Sequence, residues 1–377
     1  MLNLALGFAS CFLVTFLIVR YANVFGSLAL DHDLKGVQKN HSAPVPRVGG
    51  IAIVCAAGIT FSVGALFGVN PRGEPALLLL SAAPVLCGGV IEDLTKSVSP
   101  AVRLLCGFAS ALAGAYFLHA VVGRIDLPLI DQFLVITPIA VALTLLTVAG
   151  LTNAMNLIDG FNGLASGVAI LVFGSLGYVA HQVDDWLVLS VSLTMIGAIL
   201  GFLIWNYPAA SIFLGDGGAY FVGFMMAELA VLLIARHPNV SAWYAAVVTI
   251  YPTFETVFSI YRRRIVRGRP AGDPDGIHLH TLVFKRLVRH GGMLQTTRQH
   301  SRRNARTSPY LWILSTIGIV PASLFWHSQV VLSLTALLFV ATYVWLYASI
   351  VRFKAPRWLV ANVSDEVTSR TAEQTRH

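Results

Sequence analysis

Charge is scarce in this chain: only 12% of its 377 residues are Asp, Glu, Lys or Arg, whereas 56% are hydrophobic. A soluble domain carries about a quarter of its residues charged, so this composition excludes an ordinary soluble protein. Apolar runs recur along the whole chain with short polar stretches between them. No room remains for a separate soluble domain.

Cysteine is also rare, and the four cysteines at positions 11, 55, 87 and 106 all lie inside apolar runs. Their spacing fits neither a zinc site nor a disulfide framework, so we interpret them as small core hydrophobes. Internal repeats are missing as well. This absence disfavours transporters that are built from two related halves.

Long apolar runs are what the chain has in abundance, and they predict an all-α, polytopic integral membrane protein of about eleven transmembrane helices. The first run has no basic region before it and no small-residue cleavage pattern after it, so we expect a retained helix rather than a signal peptide. Residues 1–352 are predicted to form a single transmembrane catalytic domain, and residues 353–377 a polar cytoplasmic tail. The predicted spans are 2–22, 49–69, 76–91, 104–122, 133–151, 164–181, 186–205, 218–235, 241–261, 310–326 and 329–351.

The uneven distribution of Lys and Arg predicts the orientation, because 23 of the 26 basic residues fall on one set of loops and chain ends. Cytoplasmic loops carry such an excess, so we expect the N-terminus outside and the C-terminus inside, in the inner (cytoplasmic) membrane. The net charge of +8 is accounted for by this sidedness, which disfavours nucleic-acid binding. The predicted cytoplasmic loops are 23–48, 92–103, 151–163, 206–217 and 262–309.

Two adjacent carboxylates, Glu92 and Asp93, follow the third predicted span in the segment GGVIEDL. Adjacent carboxylates repel each other unless a cation lies between them, and Mg²⁺ prefers oxygen ligands of this kind. A solvated helix end is the alternative interpretation.

The segment NAMNLIDGFNGLASG places Asn153, Asn156, Asp159 and Asn162 at every third residue. On a helix this spacing keeps the side chains broadly on one face, where they need polar partners. Either a ligand or a stripe of hydrogen bonds between helices would provide them. Asp216, in FLGDGG, precedes an apolar helix, where it could bind a metal beside a phosphate or simply cap the helix.

The predicted loop 262–309 is long enough to suggest either function or disorder. Arg262 and Arg263 open it together with a third arginine, which fits phosphate binding or a positive-inside stop. His278 and His280 follow without further Cys or His at metal-site spacing, so zinc is disfavoured.

The first predicted cytoplasmic loop is basic: Lys39, His41 and Arg47 lie among prolines and glycines. We interpret it as a shaped basic loop at the membrane interface. Glu255 lies inside the ninth predicted span, where an unpaired carboxylate is costly. We therefore expect a basic partner for it from a neighbouring loop.

Taken in order, the segments between about residues 31 and 290 resemble the polyprenyl-phosphate N-acetylhexosamine-1-phosphate transferases, the glycosyltransferase family 4 type that includes phospho-MurNAc-pentapeptide translocase. The resemblance implies transfer of a sugar-1-phosphate from a UDP-N-acetylhexosamine to polyprenyl phosphate, with release of UMP. It implies Mg²⁺ as the cofactor, with Mn²⁺ as a substitute. It also implies the initiating step of an envelope polysaccharide such as an O-antigen-like chain, and it leaves a homodimer open.

The residue patterns and the resemblance together assign roles to the motifs. Three positions depart from the family pattern: Glu92 stands where Asp is usual, Thr281 where a third histidine is frequent, and Asn162 where an acid is frequent. The second departure disfavours the peptidoglycan precursor as substrate, and the third leaves the role of Asn162 open. The assigned residues are Asp93, Glu92, Asp159 and His280 as catalytic groups, Asp216, Asp159 and Asp93 as metal ligands, and Lys39, His41, Arg47, Asn153, Asn156, His278, Arg262 and Arg263 as substrate-binding groups.

A polytopic transporter or flippase of a lipid-linked or anionic solute is the alternative from another class. It predicts acids near the bilayer midplane and a repeat between halves, whereas the acids of these motifs gather at one predicted interface. A CDP-alcohol phosphotransferase would need Ala-Arg in its aspartate motif. The segment NLIDGFNGL lacks that pair.

Overall fold

The computed structural model describes residues 1–21, 45–68, 73–268, 276–289, 297–356 and 359–362. Nearly all of these residues are helical, in agreement with the predicted all-α class. The helices are α1 (Leu2–Arg20), α2 (Gly49–Leu66), α3 (Glu74–Thr95), α4 (Pro100–Leu118), α5 (Pro128–Leu134), α6 (Thr137–Ile158), α7 (Leu164–Gln182), α8 (Trp186–Asn206), α9 (Gly215–Arg236), α10 (Ala242–Val248), α11 (Ile250–Tyr261), α12 (Leu279–Arg286), α13 (Thr297–Ala305), α14 (Ser308–Leu324) and α15 (Gln329–Val351).

Nine helices in the described ranges are long and apolar enough to cross a membrane, namely α1–α4, α6–α9 and α15. Two further predicted spans take another form. The predicted span 241–261 is divided into α10 and α11 at Thr249, and 310–326 corresponds to α14, which has 17 residues. The polytopic class is supported, whereas the count of eleven and the orientation of the termini stay predictions.

Three helices extend beyond the predicted spans at the positions of the polar motifs. Helix α3 continues to Thr95, so the acid pair of GGVIEDL lies in its last turn rather than in a loop. Helix α6 continues to Ile158, which makes Asn153 and Asn156 helical. Helix α9 begins one residue before Asp216. Hydropathy marks only the apolar part of a helix, so the predicted loops 92–103, 151–163 and 206–217 were too long.

Helix α9 lies at the centre of the bundle, and every residue from Gly215 to Ile234 is buried. Helices α2, α3, α4, α6 and α7 pack around it. Glycines allow backbone contact near its start: a Cβ added at Gly50 would lie 2.2 Å from the Gly218 Cα, and one at Gly89 would lie 2.5 Å from the Gly217 Cα. This close approach brings the end of α3 and the start of α2 against the first turn of α9.

The described parts of the region predicted as the loop 262–309 pack against the bundle. It contains a π-helical turn (Arg262–Val266), α12 and α13. A short strand β1 (Val288–Arg289) pairs in parallel with β2 (Ala361–Asn362), so the beginning of the predicted tail 353–377 docks beside α12. The remainder of that tail, from 363 onward, lies outside the described residues.

Candidate active site

Asp93 caps the start of α9 from a different helix. Its Oδ1 accepts a hydrogen bond from the Asp216 backbone N–H at 2.8 Å, and its Oδ2 accepts one from the Gly217 N–H at 2.9 Å. The first N–H groups of a helix have no partner within the helix, and the helix dipole favours a negative charge there. The capping predicted for Asp216 as an alternative is thus performed by Asp93, whose side chain is only 4% exposed.

The side chain of Asp216 lies between two arginines. Arg47 Nη2 donates to Asp216 Oδ1 at 3.2 Å, and Arg103 Nη1 donates to Asp216 Oδ2 at 3.1 Å. The same Arg103 nitrogen lies 3.9 Å from Glu92 Oε1, and Arg47 Nε lies 4.0 Å from Asp93 Oδ1. Three acids and two guanidiniums therefore form one charged cluster, which lies at the ends of α3, α4 and α9 and at the segment before α2.

The short connection from α3 to α4 explains how Arg103 reaches this cluster. Glu92 Oε2 accepts a hydrogen bond from the Val98 N–H at 2.7 Å, and the Ser99 hydroxyl caps α4 by accepting from the Val102 N–H at 3.3 Å. Because the turn is fixed at both ends, the first turn of α4 faces the last turn of α3. In the sequence Arg103 is only one of the basic residues of the predicted loop 92–103, and its position ten residues after Asp93 is the signal that could have identified it.

Asp159 directly follows α6 and is partly buried beside the same cluster. Its carboxylate interacts electrostatically with Arg47 and with Asp216. Withdrawal from water is the largest influence and raises the pKa of Asp159 to about 7; the positive Arg47 opposes this rise and the negative Asp216 adds to it. Asp93, Asp159 and Asp216 thus meet at one end of the bundle, which we call the site end.

The two predicted asparagines of α6 differ in their contacts. The Asn156 side chain interacts with the Tyr220 hydroxyl, which also interacts with Arg103, so Asn156 belongs to the charged cluster. Asn153 Nδ2 instead donates to the Ala149 carbonyl of its own helix at 2.8 Å. Tyr220, one turn after Asp216 on α9, was missed in the sequence because an apolar helix gives no sign of which tyrosine faces a polar site.

Glu255 finds the basic partner that its burial demands. The His278 Nδ1 lies 3.1 Å from Glu255 Oε1, which also accepts a hydrogen bond from the Leu279 N–H at 3.2 Å. The Tyr343 hydroxyl donates to Glu255 Oε2 at 2.7 Å. Both carboxylate oxygens are therefore engaged, and the start of α12 is attached to α11 and α15.

His280 connects α12 to the turn that carries Asp159. Its ring stacks on that of His278 with centroids 5.2 Å apart, and it lies edge to face against Phe161 at 5.5 Å. A Cβ added at Gly160 would lie 3.6 Å from His280 Nε2. The histidine pair and the Asp-Gly turn therefore form one continuous surface.

The predicted arginines of the π-helical turn contact other parts of the protein, and Arg262 supports the histidine segment. Arg262 is buried and donates to the Ile277 carbonyl and to the Tyr347 hydroxyl. Arg263 Nη2 donates to the Ser259 hydroxyl at 3.0 Å. In these contacts both side chains hold the protein itself, and their substrate-binding role stays a prediction. Lys39 and His41 lie outside the described residues.

The described residues contain no group of three or more His, Cys, Asp or Glu side chains arranged to hold a metal ion. Mg²⁺ at phosphate-transfer sites usually takes one or two protein carboxylates together with waters and substrate phosphates. Asp216 and Asp159 offer hard oxygen donors of that kind, within electrostatic reach of each other. Each oxygen of Asp216 accepts one contact from an arginine and keeps a second lone pair that a bound cation could take. The donor chemistry fits Mg²⁺ on these terms.

Glu228 is not among the acids singled out from the sequence, and it lies away from the site end. It lies in the fourth turn of α9, fully buried, and neither carboxylate oxygen has a hydrogen-bond partner among the described residues. Its Oε1 fills the space that the missing side chain of Gly114 leaves on α4, 1.8 Å from where a Cβ would stand. Unlike the acids of the sequence motifs, Glu228 therefore lies inside the bundle and not at the site end.

Comparison with known proteins identifies the family to which this chain belongs. A family model described as glycosyl transferase family 4 matches residues 75–234. The decaprenyl-phosphate N-acetylglucosaminephosphotransferase of Mycobacterium tuberculosis is 31% identical over 313 residues, covering 72% of this chain and 70% of the relative. The chain belongs to glycosyl transferase family 4. The resemblance found in the sequence motifs is thereby confirmed.

Two other similar proteins support the assignment to family 4. A probable undecaprenyl-phosphate N-acetylglucosaminyl 1-phosphate transferase of Bacillus subtilis is 29% identical over 71% of this chain and 72% of the relative. An undecaprenyl-phosphate alpha-N-acetylglucosaminyl 1-phosphate transferase of Thermotoga maritima is 28% identical over 73% of this chain and 80% of the relative.

The family match includes some parts of the site and leaves others out. Its range contains Asp159 and every residue of the charged cluster except Arg47, namely Glu92, Asp93, Arg103 and Asp216. Segments 45–48 and 276–289, which supply Arg47 and the histidines, lie beyond it. The packing of α2 and α12 against the matched core is what adds them to the family 4 site.

Proposed function

We propose that this chain transfers the sugar-1-phosphate of a UDP-N-acetylhexosamine to polyprenyl phosphate, such as undecaprenyl phosphate, and releases UMP. The observation that carries the proposal is the meeting of Asp93, Asp159 and Asp216 with Arg47 and Arg103 at the site end. The names of the relatives, which are polyprenyl-phosphate N-acetylglucosamine-1-phosphate transferases, support the same reaction.

The proposed reaction exchanges one phosphate bond for another. An oxygen of the lipid phosphate attacks the phosphorus that carries the sugar, and a new P–O–P bond forms. The bond from that phosphorus to the bridging oxygen breaks, and the oxygen leaves with UMP. The barrier comes mainly from bringing two anions together in line, so the protein must neutralise charge and align the reactants.

The two arginines are suited to receive the phosphates. Guanidinium groups bind phosphate oxygens in bidentate fashion, and Arg47 and Arg103 already converge on one carboxylate. In the proposed mechanism each arginine transfers a hydrogen bond from Asp216 to a substrate phosphate. Asp216 and Asp159 would hold Mg²⁺, which when bound neutralises charge on the diphosphate oxygens.

The remaining residues orient these groups. Asp93 fixes the first turn of α9, which directs the Asp216 side chain toward the arginines. This supports a positioning role for Asp93, and assistance to the attacking lipid phosphate stays a proposal. His280 lies next to the Asp-Gly turn, where it can donate a hydrogen bond to an oxygen of the sugar nucleotide.

The location at helix ends suits both substrates. A polyprenyl tail remains in the lipid, whereas a sugar nucleotide remains in water, so the reacting phosphates must meet at an interface. The excess of Lys and Arg on this side supports a cytoplasmic site in the inner membrane. In this proposal the lipid product initiates an envelope polysaccharide such as an O-antigen-like chain.

Exchange of labelled UMP into a UDP-sugar tests the reaction. Membranes that contain the protein should label a UDP-N-acetylhexosamine only when polyprenyl phosphate and Mg²⁺ are both present, and Asp216→Asn should lose the exchange. Full exchange in Asp216→Asn would reject the metal assignment. A panel with UDP-GlcNAc, UDP-GalNAc and UDP-N-acetylfucosamine identifies the donor, and no exchange with any of them would reject the proposed function.

Cysteine labelling tests the orientation independently. Lys96→Cys, in a background without the four native cysteines, should resist a membrane-impermeant maleimide on intact cells and react once the membrane is opened. Labelling from outside would overturn the cytoplasmic site.

A further inference from the structure

Arg286, the last residue of α12, joins this helix to the end of α15. Its Nη1 donates to the Ile350 carbonyl and to the Val351 carbonyl, both at 2.7 Å. The last carbonyl groups of a helix have no partner within the helix, and the helix dipole favours a positive charge there. Arg286 therefore caps α15 from a different helix, in the way that Asp93 caps α9.

The turn that follows α15 contacts the same guanidinium from a second side. Phe353 has a φ of +56°, the left-handed conformation that often ends a helix, and the Lys354 N–H donates to the Ser349 carbonyl at 2.9 Å. The Phe353 ring lies 4.0 Å from the Arg286 Cζ, measured to the ring centroid. Because a cation is attracted to the face of an aromatic ring, this turn and the end of α15 together hold Arg286.

The chain beyond this turn returns to the end of α12. Strand β2 pairs with β1, with Val288 opposite Ala361, and the Leu359 carbonyl accepts from the Tyr310 hydroxyl of α14 at 3.0 Å. Val288 is fully buried, and Leu359 packs against the core. The described residues 353–356 and 359–362, which we call the C-terminal segment, thus attach the end of α12 to α14 and α15.

The start of α12 is held separately, by the contacts of Glu255 with His278 and with the Leu279 N–H. The helix has eight residues and is about 12 Å long at 1.5 Å per residue. So short a helix moves as one body, and the contacts at its two ends together decide where its first turn lies. That turn carries His280, which contacts Phe161 in the turn after Asp159.

A third contact keeps α12 packed when Arg286 is removed. Arg303 of α13 lies over the Phe284 ring, 4.4 Å from its centroid, and donates from Nε to the Val288 carbonyl at 3.0 Å. Leu282 and Val283 are also buried against the core. Loss of Arg286 should therefore shift α12 rather than unfold it.

We propose that Arg286 is a positioning residue that, together with the C-terminal segment, sets the place of His280 against the Asp-Gly turn of the site. It acts through α12 rather than by touching the substrate, so the first residues of the predicted tail 353–377 serve the site. This inference rests on the proposed function, because the place of His280 affects the rate only if His280 contacts the sugar nucleotide.

Arg286→Ala tests the inference, with Arg352→Ala as the matched control. Arg352 directly follows α15 and is exposed, and its side chain makes no hydrogen bond or ion pair with the described residues. The control thus removes the same charge from the same helix end. Each purified protein is compared by kcat and KM for both substrates in the forward reaction, followed by release of UMP, and by its melting temperature.

We expect Arg286→Ala to lower kcat/KM for the UDP-sugar by about 10- to 100-fold, because a small displacement of a contacting group is costly, and to change KM for polyprenyl phosphate much less. Arg286→Lys keeps a donor for α15 and should recover part of the loss. Arg352→Ala should match the wild type. An unchanged kcat/KM in Arg286→Ala, or an equal loss in Arg352→Ala, would overturn the inference.

A double substitution separates positioning from general destabilisation. In a His280→Ala background, adding Arg286→Ala should change kcat/KM by less than about twofold, because the contact that Arg286 positions is already gone. Losses that multiply would mean that Arg286 supports only the fold and would overturn the inference. If Arg286→Ala does not accumulate, Arg286→Lys is judged by the same cycle.

The failure of this inference is distinguishable from that of the proposed function. A wild-type protein that releases no UMP refutes the transferase itself. An active wild type whose His280→Ala variant is equally active refutes the role of His280 and this inference with it. An active wild type with multiplied losses refutes only the positioning by Arg286.

Discussion

The guanidinium of Arg103 joins Asp216 and Glu92, with Nη1 at 3.1 Å from Asp216 Oδ2 and 3.9 Å from Glu92 Oε1. One side chain from the first turn of α4 thus connects the last turn of α3 with the first turn of α9. In the absence of substrate this contact neutralises carboxylates that would otherwise repel one another. With substrate, the same positive charge is available to the diphosphate.

Replacing Arg103 by Ala should lower kcat in the UMP exchange assay by about 10- to 100-fold, since a hydrogen bond to a charged group contributes about 1.5–3 kcal/mol. Arg103→Lys keeps the charge without the bidentate geometry, so we expect an intermediate rate. Arg236→Ala is the control, because Arg236 pairs with Glu74 at the other end of α9. Wild-type exchange in Arg103→Ala would contradict the role.

The sequence predicts which acids meet but not how they are held. Asp93, Asp159 and Asp216 could be assigned to one side because Lys and Arg content fixes the side of each loop. The pairing of Arg103 with Asp216 depends on the packing of α3, α4 and α9, which near-uniform apolar helices do not encode in any periodicity. Glu228 was overlooked for the related reason that it lies inside an apolar run without a motif.

Asn162 illustrates the same difference between pattern and contact. Its spacing with Asn153, Asn156 and Asp159 predicted a shared helix face, but α6 ends at Ile158 and leaves Asn162 in the turn. Its partners come from the loop after α8 and from the region 297–308, which are distant in sequence. Only the folded chain brings them together.

The contact between α2 and α9 predicts a large difference between two alanine substitutions in the same helix. A Cβ at Gly50 would lie 2.2 Å from the backbone of Gly218, whereas one at Gly58 would meet nothing within 4 Å. Gly50→Ala should therefore force α2 away from α9, lowering the melting temperature and the exchange rate. Gly58→Ala should leave both unchanged, and equal effects of the two variants would refute the packing.

Loss of the Glu255 carboxylate should destabilise the protein more than loss of one of its hydrogen-bond donors. Glu255→Ala removes the partner of His278 and Tyr343 together, and breaking a buried pair costs about 3–5 kcal/mol. Tyr343→Phe removes one hydrogen bond, worth about 1 kcal/mol. We expect thermal unfolding and exchange assays to rank Glu255→Ala far below Tyr343→Phe; the opposite order would contradict the arrangement.

Asp126, at the opposite end of the bundle from the site end, should make the stability of the fold depend on pH. Burial alone would raise the pKa of Asp126, but hydrogen bonds from the Ser241 hydroxyl, the Ala242 N–H and Arg124 outweigh it and hold the pKa below its usual value. A lowered pKa in the folded state stabilises the fold above the unfolded pKa of about 4, and this stabilisation is lost as the pH falls through the folded pKa.

Asp126→Asn should therefore lower the melting temperature at pH 7, and its difference from the wild type should shrink as the pH is reduced below about 4. Thermal unfolding at a series of pH values measures this difference. A constant difference at every pH would show that the carboxylate charge contributes nothing. Asp131→Asn, whose amide oxygen can still accept the hydrogen bond from the Ile125 N–H on the same surface, is the comparison variant.

A substitution of Glu228 distinguishes the proposed transferase from the alternative transporter. The transferase account gives its carboxyl no chemical role, and the side chain has no hydrogen-bond partner among the described residues, so Glu228→Gln should keep full exchange activity. A solute or proton path through the bundle would instead require an ionisable group there. Solute flux through the wild type that is lost in Glu228→Gln at an unchanged melting temperature would favour that alternative.

The most direct measurement is the mass spectrometric analysis of both products made by the purified protein from polyprenyl phosphate and a UDP-N-acetylhexosamine with Mg²⁺. The account predicts equal amounts of UMP and of a polyprenyl-diphosphate sugar from the wild type, and neither from Asp216→Asn. Absence of the lipid product with every UDP-N-acetylhexosamine, or equal product from Asp216→Asn, would contradict it.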